Sequence, residues 1–463
     1  MKKTIKPERP GGFLDFGPKD FLAREKMLEI ISTVFRSYGY NPIETPIVEF
    51  TKVLTGSDET SKNIFAVKGR GSNEDEALAM RFDHTVPLAR YLSANPYDEK
   101  KRSGIKLPWR RMVVGPVFRS DSPQKGRYRQ FYQYDVDIAG CSMMLADAEI
   151  IAIIYETLKA LGLERFVIRL NNRKILNGLA GVIGITDRKE AKAEDITKEV
   201  MRILDKIPKI GLHFALDELT REPVNDFDLS PGLKSEDLQK LEEFLDICGS
   251  NSEKIAQAQA LFQNISIAEE GLAELSEIIK YLDELAIPAS AVEIDFSIAR
   301  GLDYYTGPVF ETFLFDALGF GSVFSGGRYN DLVARFTGQE LPAVGASIGV
   351  DRLFSALRQL NVLKVEETTV SKILILRLSD KHDCYYLKLA ERLRKCGQNV
   401  ELSLLEDTTF RSQFNFAVSQ GVNFVVIAGL EEIGSNKLKI KNLFTRQQDE
   451  IPESQLTEFF NNT

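Results

Sequence analysis

The sequence predicts an α+β protein: an antiparallel strand pair, a helical insertion, and a C-terminal, mainly parallel α/β unit. Three observations predict it. "RRMVVGPVFRS" and "FYQYDVDIAG" are strand-like runs joined by the loop "DSPQKGRYRQ", as in an antiparallel pair. Charged amphipathic helices dominate from about Ile175 to Leu285. After "NVLKVEETTVS", a polar connector, strands alternate with helices, which implies a mainly parallel sheet.

Taken in order, Phe21 to Tyr38 reads as an amphipathic helix, with Met27, Ile30, Ile31, Val34 and Phe35 at helical spacing and Gly39 stopping it. "NPIETPIVEF" then runs extended, broken by two prolines. Asp147 to Leu161 is helical. The insertion contains "KEAKAEDITKEVMRILDKI", "SEDLQKLEEFLDICG" and "EEGLAELSEIIKYLDEL", with a break at "DFDLSPGLKSED". Strand character returns in "AVEIDFSIARGLDYYTGPVFETFLF", and "AVGASIGVDRLFSALRQL" is a strand running into a helix. In the last unit "KILILRL", "QNVELSLL" and "NFVVIAGL" are strands, the helices between them close at Gly397 and Gly421, and "NKLKIKNLF" adds an antiparallel edge.

The bulk numbers narrow the classes. A chain of 463 residues suggests two or three domains. No apolar run approaches the ~20 residues of a membrane span, and "MKKTIKPERPGG" lacks the apolar segment of a secretory signal. Four scattered cysteines suit a reducing cytoplasm better than a disulfide framework or a metal site. The three histidines lie far apart, which disfavours a His-based triad. The net charge of −8 argues against a general nucleic-acid coat but not against a local patch, and Lys100 to Arg129 holds ten Lys or Arg against one acid, Asp121.

Four stretches carry candidate chemistry. Gln133, Asp135 and Asp137 share one strand face, either a solvated face or a pocket floor for a multi-donor ligand. Arg119, Arg127 and Arg129 precede or line the loop, with forks that match phosphate oxygens, and Phe131 can stack on a base. In "ARGLDYYTGPVFE", Arg300, Asp303, Tyr304 and Tyr305 crowd together, as a functional site or as a turn covering a core. "GGRYNDLV" goes with "GASIGVDRL", where Gly345, Ser347 and Gly349 leave a groove ending at Arg352, suited to phosphates or to helix packing. In "RFDHTVPLARYL", Asp83 and Thr85 share an extended face, Pro87 starts a helix, and His84 points away as a structural residue.

Together and in this order, these stretches resemble the histidyl-tRNA synthetases of class II. "FRSDSPQKGRYRQFYQYDVDIAG" looks like the family's motif 2 with its loop, "GASIGVDRL" like motif 3 and "YGYNPIETPIVEF" like motif 1. "RGLDYYTGPVFE" resembles a stretch characteristic of the histidine-specific enzymes. The resemblance implies a class II synthetase-like antiparallel sheet flanked by helices. It divides the chain into a catalytic core (1–174 and 287–361), a helical insertion (175–286), a linker (362–370) and an anticodon-binding α/β domain (371–463).

It also implies a cytoplasmic homodimer acting on L-histidine, ATP with Mg2+, and histidine tRNA. Histidyl-adenylate would be the intermediate and AMP and pyrophosphate the by-products. By matching positions, Asp83, Thr85 and Gln133 would hold the α-ammonium, and Asp137 and Tyr305, with Tyr304 beside them, the imidazole. That pairing suits a neutral ring, which needs one acceptor and one donor. Arg119 would contact the α-phosphate, Phe131 and Arg127 would bind ATP, Arg300 would neutralise charge where carboxylate meets α-phosphate, and Arg352 would bind the γ-phosphate. No metal ligand is assigned. Ser122 stands where many bacterial members carry Arg, and Pro308, lacking a backbone donor, is expected at a strand start. A histidine-sensing regulatory paralogue is the alternative reading; such relatives usually lack the C-terminal domain and erode the Arg and Tyr positions, all present here.

Overall fold

The computed structural model describes residues 5–56, 63–69, 77–122, 128–183, 196–197, 199–204, 211–224, 228–298, 305–363 and 368–461. They form two compact units, residues 1–14 with 27–362 and residues 15–26 with 363–463.

The first unit is built on an eight-stranded sheet. Its strands, with those of a small neighbouring sheet, run in chain order as β1 (Asn41–Pro42), β2 (Val48–Phe50), β3 (Ala66–Val67), β4 (Leu78–Met80), β5 (Trp109–Phe118), β6 (Gln130–Ala139), β7 (Phe166–Asn172), β8 (Val292–Ile294), β9 (Pro308–Leu314), β10 (Phe324–Arg328) and β11 (Ala343–Gly349). The large sheet is ordered β1-β5-β6-β11-β10-β9-β7-β8, and β2-β4-β3 form the small one. From β5 to β7 every pairing is antiparallel, as expected of the central pair. Both edges are parallel, β1 on β5 and β7 on β8. A parallel return needs a long connection, and the helices between β7 and β8 supply one. Pro308 opens β9, where its missing donor is tolerated.

β6 has two different faces. Tyr134, Val136 and Ile138 point into the core, where Phe35 of α1 (Pro18–Ser37) meets Tyr134 edge-on at 4.9 Å. Gly39 ends α1 with φ 80°, a conformation open to glycine. The helix Met144–Ala160 buries Ile150, Ile151, Ile153 and Ile154 together. It packs on β11 and on the helix Ser266–Glu284, so it is apolar nearly all round. In the insertion, Arg173–Val182, Ser235–Leu245 and Asn251–Leu261 are also helices; most of "KEAKAEDITKEVMRILDKI" lies outside the described residues.

The second unit carries β12 (Ile373–Ile375), β13 (Val400–Leu402), β14 (Phe424–Ile427), β15 (Lys437–Asn442) and β16 (Gln448–Pro452), ordered β13-β12-β14-β15-β16. β12, β13 and β14 are parallel, and β15 joins β14 antiparallel. β15 is internal, because β16 pairs outside it. Both faces are covered, Ile373 and Ile375 by Tyr386, Leu389 and Leu393, and Leu374 and Leu376 by Ala417 and Val422. The helices Asp383–Lys395 and Phe410–Gln420 are followed by Gly397 and Gly421 at φ 78° and 73°, as their sequences predict.

Candidate active site

The odd-numbered face of β6 carries Phe131, Gln133, Asp135 and Asp137. Antiparallel register sets β11 beside them: Gln133 opposite Gly349, Asp135 opposite Ser347, Asp137 opposite Gly345. On the other side lie Gly115, Val113 and Arg111 of β5. Residues directly opposite in such a ladder point to the same side. The face is therefore a row of polar side chains with very small ones along the β11 side and, on the β5 side, Gly115 giving way to Val113 and Arg111. Both carboxyls are buried, Asp135 and Asp137 each 3 % exposed, so the solvated-face alternative does not describe this strand.

At one end of the row, Asp137 is surrounded by donors. Arg111 Nη2 lies 2.7 Å from Asp137 Oδ2, and the Tyr329 hydroxyl donates to Oδ1. Gly345 is required here, since a Cβ would come within 2.0 Å of Asp137 Oδ1. One step along the same row, the Tyr305 ring covers Gly327, where a Cβ would meet Tyr305 Cδ1 at 2.9 Å. Asp137 and Tyr305 are thus brought to neighbouring positions. Burial raises the Asp137 carboxyl above the usual range, with Arg111 and the Tyr329 hydroxyl opposing it.

In the middle, Gln133 Nε2 donates to Ser347 Oγ at 2.7 Å. Gln133 Oε1, Asp135 Oδ1 and Arg111 Nε are buried with no hydrogen-bond partner among the described residues. Burial pushes Asp135 up to about 7, with Arg111 pulling the other way. Buried polar atoms normally find partners, and orphans gathered on one face mark a place that a ligand's polar groups complete.

Asp83 and Thr85 enter differently from the extended pair expected. The helix starts at Thr85, two residues before Pro87, and His84 is already in the α region. Asp83 Oδ1 accepts from Val86 N at 3.1 Å, capping the first turn, and this side-chain bond is what starts the helix early. Asp83 is 5 % exposed, and burial raises its carboxyl. His84 is structural as expected: it is buried, its Nε2 sits 3.3 Å from Gly115 O, and burial with Arg81 and Arg111 lowers its ring to about 3.

At the far end, Arg119 and Phe131 meet. Arg119 Nε donates to Phe82 O at 3.1 Å, and its guanidinium lies 5.2 Å from the Phe131 ring centroid. Gly349 leads directly into the helix Val350–Gln359, placing Arg352 in its first turn, where it donates to Ser322 O. Arg127, Arg300 and Tyr304 lie outside the described residues. The arrangement is an acidic, amide-bearing floor adjoining a cation–aromatic pair: groups for an ammonium and N–H donors at one end, for phosphates and a flat base at the other.

The sequence reading missed Arg111, and it marked "GGRYNDLV" without giving Tyr329 a role. Arg111 shares the parity of Arg119 along β5, so the β5–β6 register alone would have exposed it. Tyr329 directly follows "SGGR" of β10, and only the β10–β11–β6 ladder brings it to Asp137. Among the described residues no three His, Cys, Asp or Glu gather as a metal cage, and no helix is long and apolar enough to cross a membrane.

Comparison with known proteins gives concordant matches. The family model described as histidyl-tRNA synthetase matches residues 12–353, and that of an anticodon binding domain residues 372–463. The chain is 38% identical over 452 residues to the histidine–tRNA ligase of Helicobacter pylori strain J99, covering 96% of this chain and 95% of that one. It is 36% identical over 457 residues to the histidine–tRNA ligase of Clostridium tetani, covering 97% of each. Among solved structures, the histidyl-tRNA synthetase of Nostoc sp. PCC 7120 aligns with a TM-score of 0.81 at 32% identity, over 99% of this chain and 100% of that one.

Proposed function

The chain belongs to the histidyl-tRNA synthetase family, and from that premise we propose that it joins histidine to histidine tRNA in two steps on the polar face of β6. In the first step a carboxylate oxygen of histidine attacks the α-phosphorus of ATP. The bond from that phosphorus to the bridging oxygen breaks, pyrophosphate leaves, and histidyl-adenylate remains. In the second step a ribose hydroxyl at the tRNA end attacks the acyl carbon and AMP leaves.

The attacking carboxylate is already ionised, so the first step needs orientation and charge stabilisation rather than a base. Asp83, Thr85 and Gln133 hold the α-ammonium in this reading, and Asp137 with Tyr305 the ring. Arg119 holds the α-phosphate, Phe131 stacks on adenine and Arg352 takes the γ-phosphate. Arg127, Tyr304 and Arg300 keep the roles that their positions in the sequence imply. Magnesium arrives as part of the substrate, MgATP. The unit holding residues 372–463 contacts the anticodon, the chain works as a homodimer, and it acts in the cytoplasm.

The observation that carries the reading is the continuity of one strand face, from the Asp137 floor through Gln133 to the Arg119–Phe131 pair. Histidine-dependent ATP–pyrophosphate exchange tests it, with the other amino acids as controls. Exchange with histidine alone is expected, and Arg300→Ala is expected to lower it about 10²-fold. Histidine binding without exchange would instead favour a histidine-sensing regulatory protein.

A further inference from the structure

The floor of this site contains a cation that an amino-acid pocket does not obviously need. Arg111 is 1 % exposed; its Nη2 is ion-paired with Asp137 Oδ2 at 2.7 Å and donates to the carbonyl of His84 at 3.3 Å. A buried ion pair is often no more stabilising than apolar packing of the same volume, so its presence calls for a task. We propose that Arg111, acting through Asp137, makes the pocket select the neutral imidazole ring of histidine and reject imidazolium. The proposal rests on the histidine reading above.

The argument begins with Asp137. One of its oxygens receives Arg111 and the other the Tyr329 hydroxyl. A carboxylate oxygen has room for a second donor, so Asp137 can still accept one N–H from a ring. Its charge, however, is already matched by Arg111. A protonated ring would bring a second positive charge beside that guanidinium in a water-poor site, where like charges repel strongly. The other groups facing Arg111 are Asp135 on β6, Asp83 and His84 ahead of the helix, and Arg81. The molecule already contains an imidazole in this neighbourhood: His84 is held neutral by burial and by the charges of Arg81 and Arg111. A substrate ring placed over Asp137 meets one of the same cations.

The test is calorimetric binding of histidine to the whole protein at about pH 7.5 and about pH 5.5, with triazolylalanine, whose ring stays neutral over this range, as control. With a ring pKa of ~6.5, the neutral fraction falls about tenfold between the two conditions. Titration of Asp135 acts on both ligands, so histidine Kd is expected to rise by about that factor more than triazolylalanine Kd does. Arg111→Lys, which keeps the charge, is expected to retain the tenfold loss. Arg111→Gln is expected to shrink it below about twofold or to reverse it. An unchanged tenfold loss in Arg111→Gln overturns the proposal, and so does a wild-type histidine Kd that rises no more than that of triazolylalanine. If Arg111→Gln fails to fold, proton release decides the matter on the wild type. At about pH 6.5, roughly half a proton more should leave per histidine bound than per triazolylalanine, the titration of Asp135 being common to both; equal release for the two overturns the proposal. Absence of histidine binding at about pH 7.5 removes the proposed function and this inference together. Normal histidine-dependent exchange with the same pH dependence of binding for both ligands removes only this inference.

Discussion

Arg328 of β10 and Asp147 of the helix Met144–Ala160 form an ion pair shut off from water, their side chains 4% and 0% exposed. The guanidinium also donates to the carbonyls of Cys141, at 2.8 Å, and Met143, at 3.2 Å. It therefore fastens the turn that leads β6 into that helix onto β10. Burial pushes Asp147 up to about 6, and Arg328 opposes the rise. Replacing such a pair by apolar residues can be nearly neutral, but removing one partner strands a buried charge. Arg328→Met is expected to cost about 3–5 kcal/mol, and the double variant Arg328→Met with Asp147→Leu to recover most of it. Urea unfolding checks both; a loss below about 1 kcal/mol in the single variant would show that the pair is not needed.

Asp83 caps a helix, and substitution can separate that duty from the ammonium binding proposed for it. Asparagine keeps the oxygen that caps Val86 N but loses the charge; alanine loses both. Asp83→Asn is expected to raise the KM for histidine by at least tenfold with little change in melting temperature. Asp83→Ala is expected to add a stability loss of about 1 kcal/mol. Equal stability of the two variants would remove the capping role.

Gly345→Ala tests the fit of the Asp137 pocket. The new Cβ would lie 2.0 Å from Asp137 Oδ1, so the carboxylate must move. Overpacking of this kind costs about 1–3 kcal/mol. The exchange reaction should lose histidine affinity at least tenfold while KM for ATP changes little. A parallel rise in both KM values would mean that the sheet, rather than the pocket, had been disturbed.

Asp135 makes a pH prediction. Its pKa is raised to about 7 in the fold, above the ~3.9 of an unfolded aspartate. The protonated carboxyl therefore contributes stability in full below about pH 4, and that contribution is lost as pH rises through about 7. Asp135→Asn has no proton to lose. Its advantage over the wild type should grow between about pH 5 and about pH 8 and reach the order of 2–4 kcal/mol. Denaturant unfolding at the two pH values measures it, and an advantage that does not change with pH contradicts the assignment.

The sequence made the face of β6 legible because the side-chain period of a strand is two, and a run of Gln, Asp and Asp at that period is visible without coordinates. It located Pro308 at a strand start by the same local logic. Asp83 was less legible. A side chain that bonds the backbone three residues on competes with extended structure, so helix and strand patterns overlap there. The places of Arg111 and Tyr329 beside Asp137 were invisible for a different reason. Their importance comes from register across three or four strands, a long-range property that no window of sequence contains. The parallel edges of the large sheet likewise depend on how distant segments return.

β6 is hydrogen-bonded to β5 along its whole length and to β11 from Gln133 to Ala139. Slipping it by one residue would turn Tyr134, Val136 and Ile138 outward and drive Gln133, Asp135 and Asp137 into the core. No slightly misaligned version of this strand exists, because the adjacent alternative is the worst one. Folding thus acts as the proofreader of the polar face on which binding is proposed. The same hydrophobic preference that holds the molecule together rejects every chain in which its residues are aimed wrongly, before any substrate is present to detect the error.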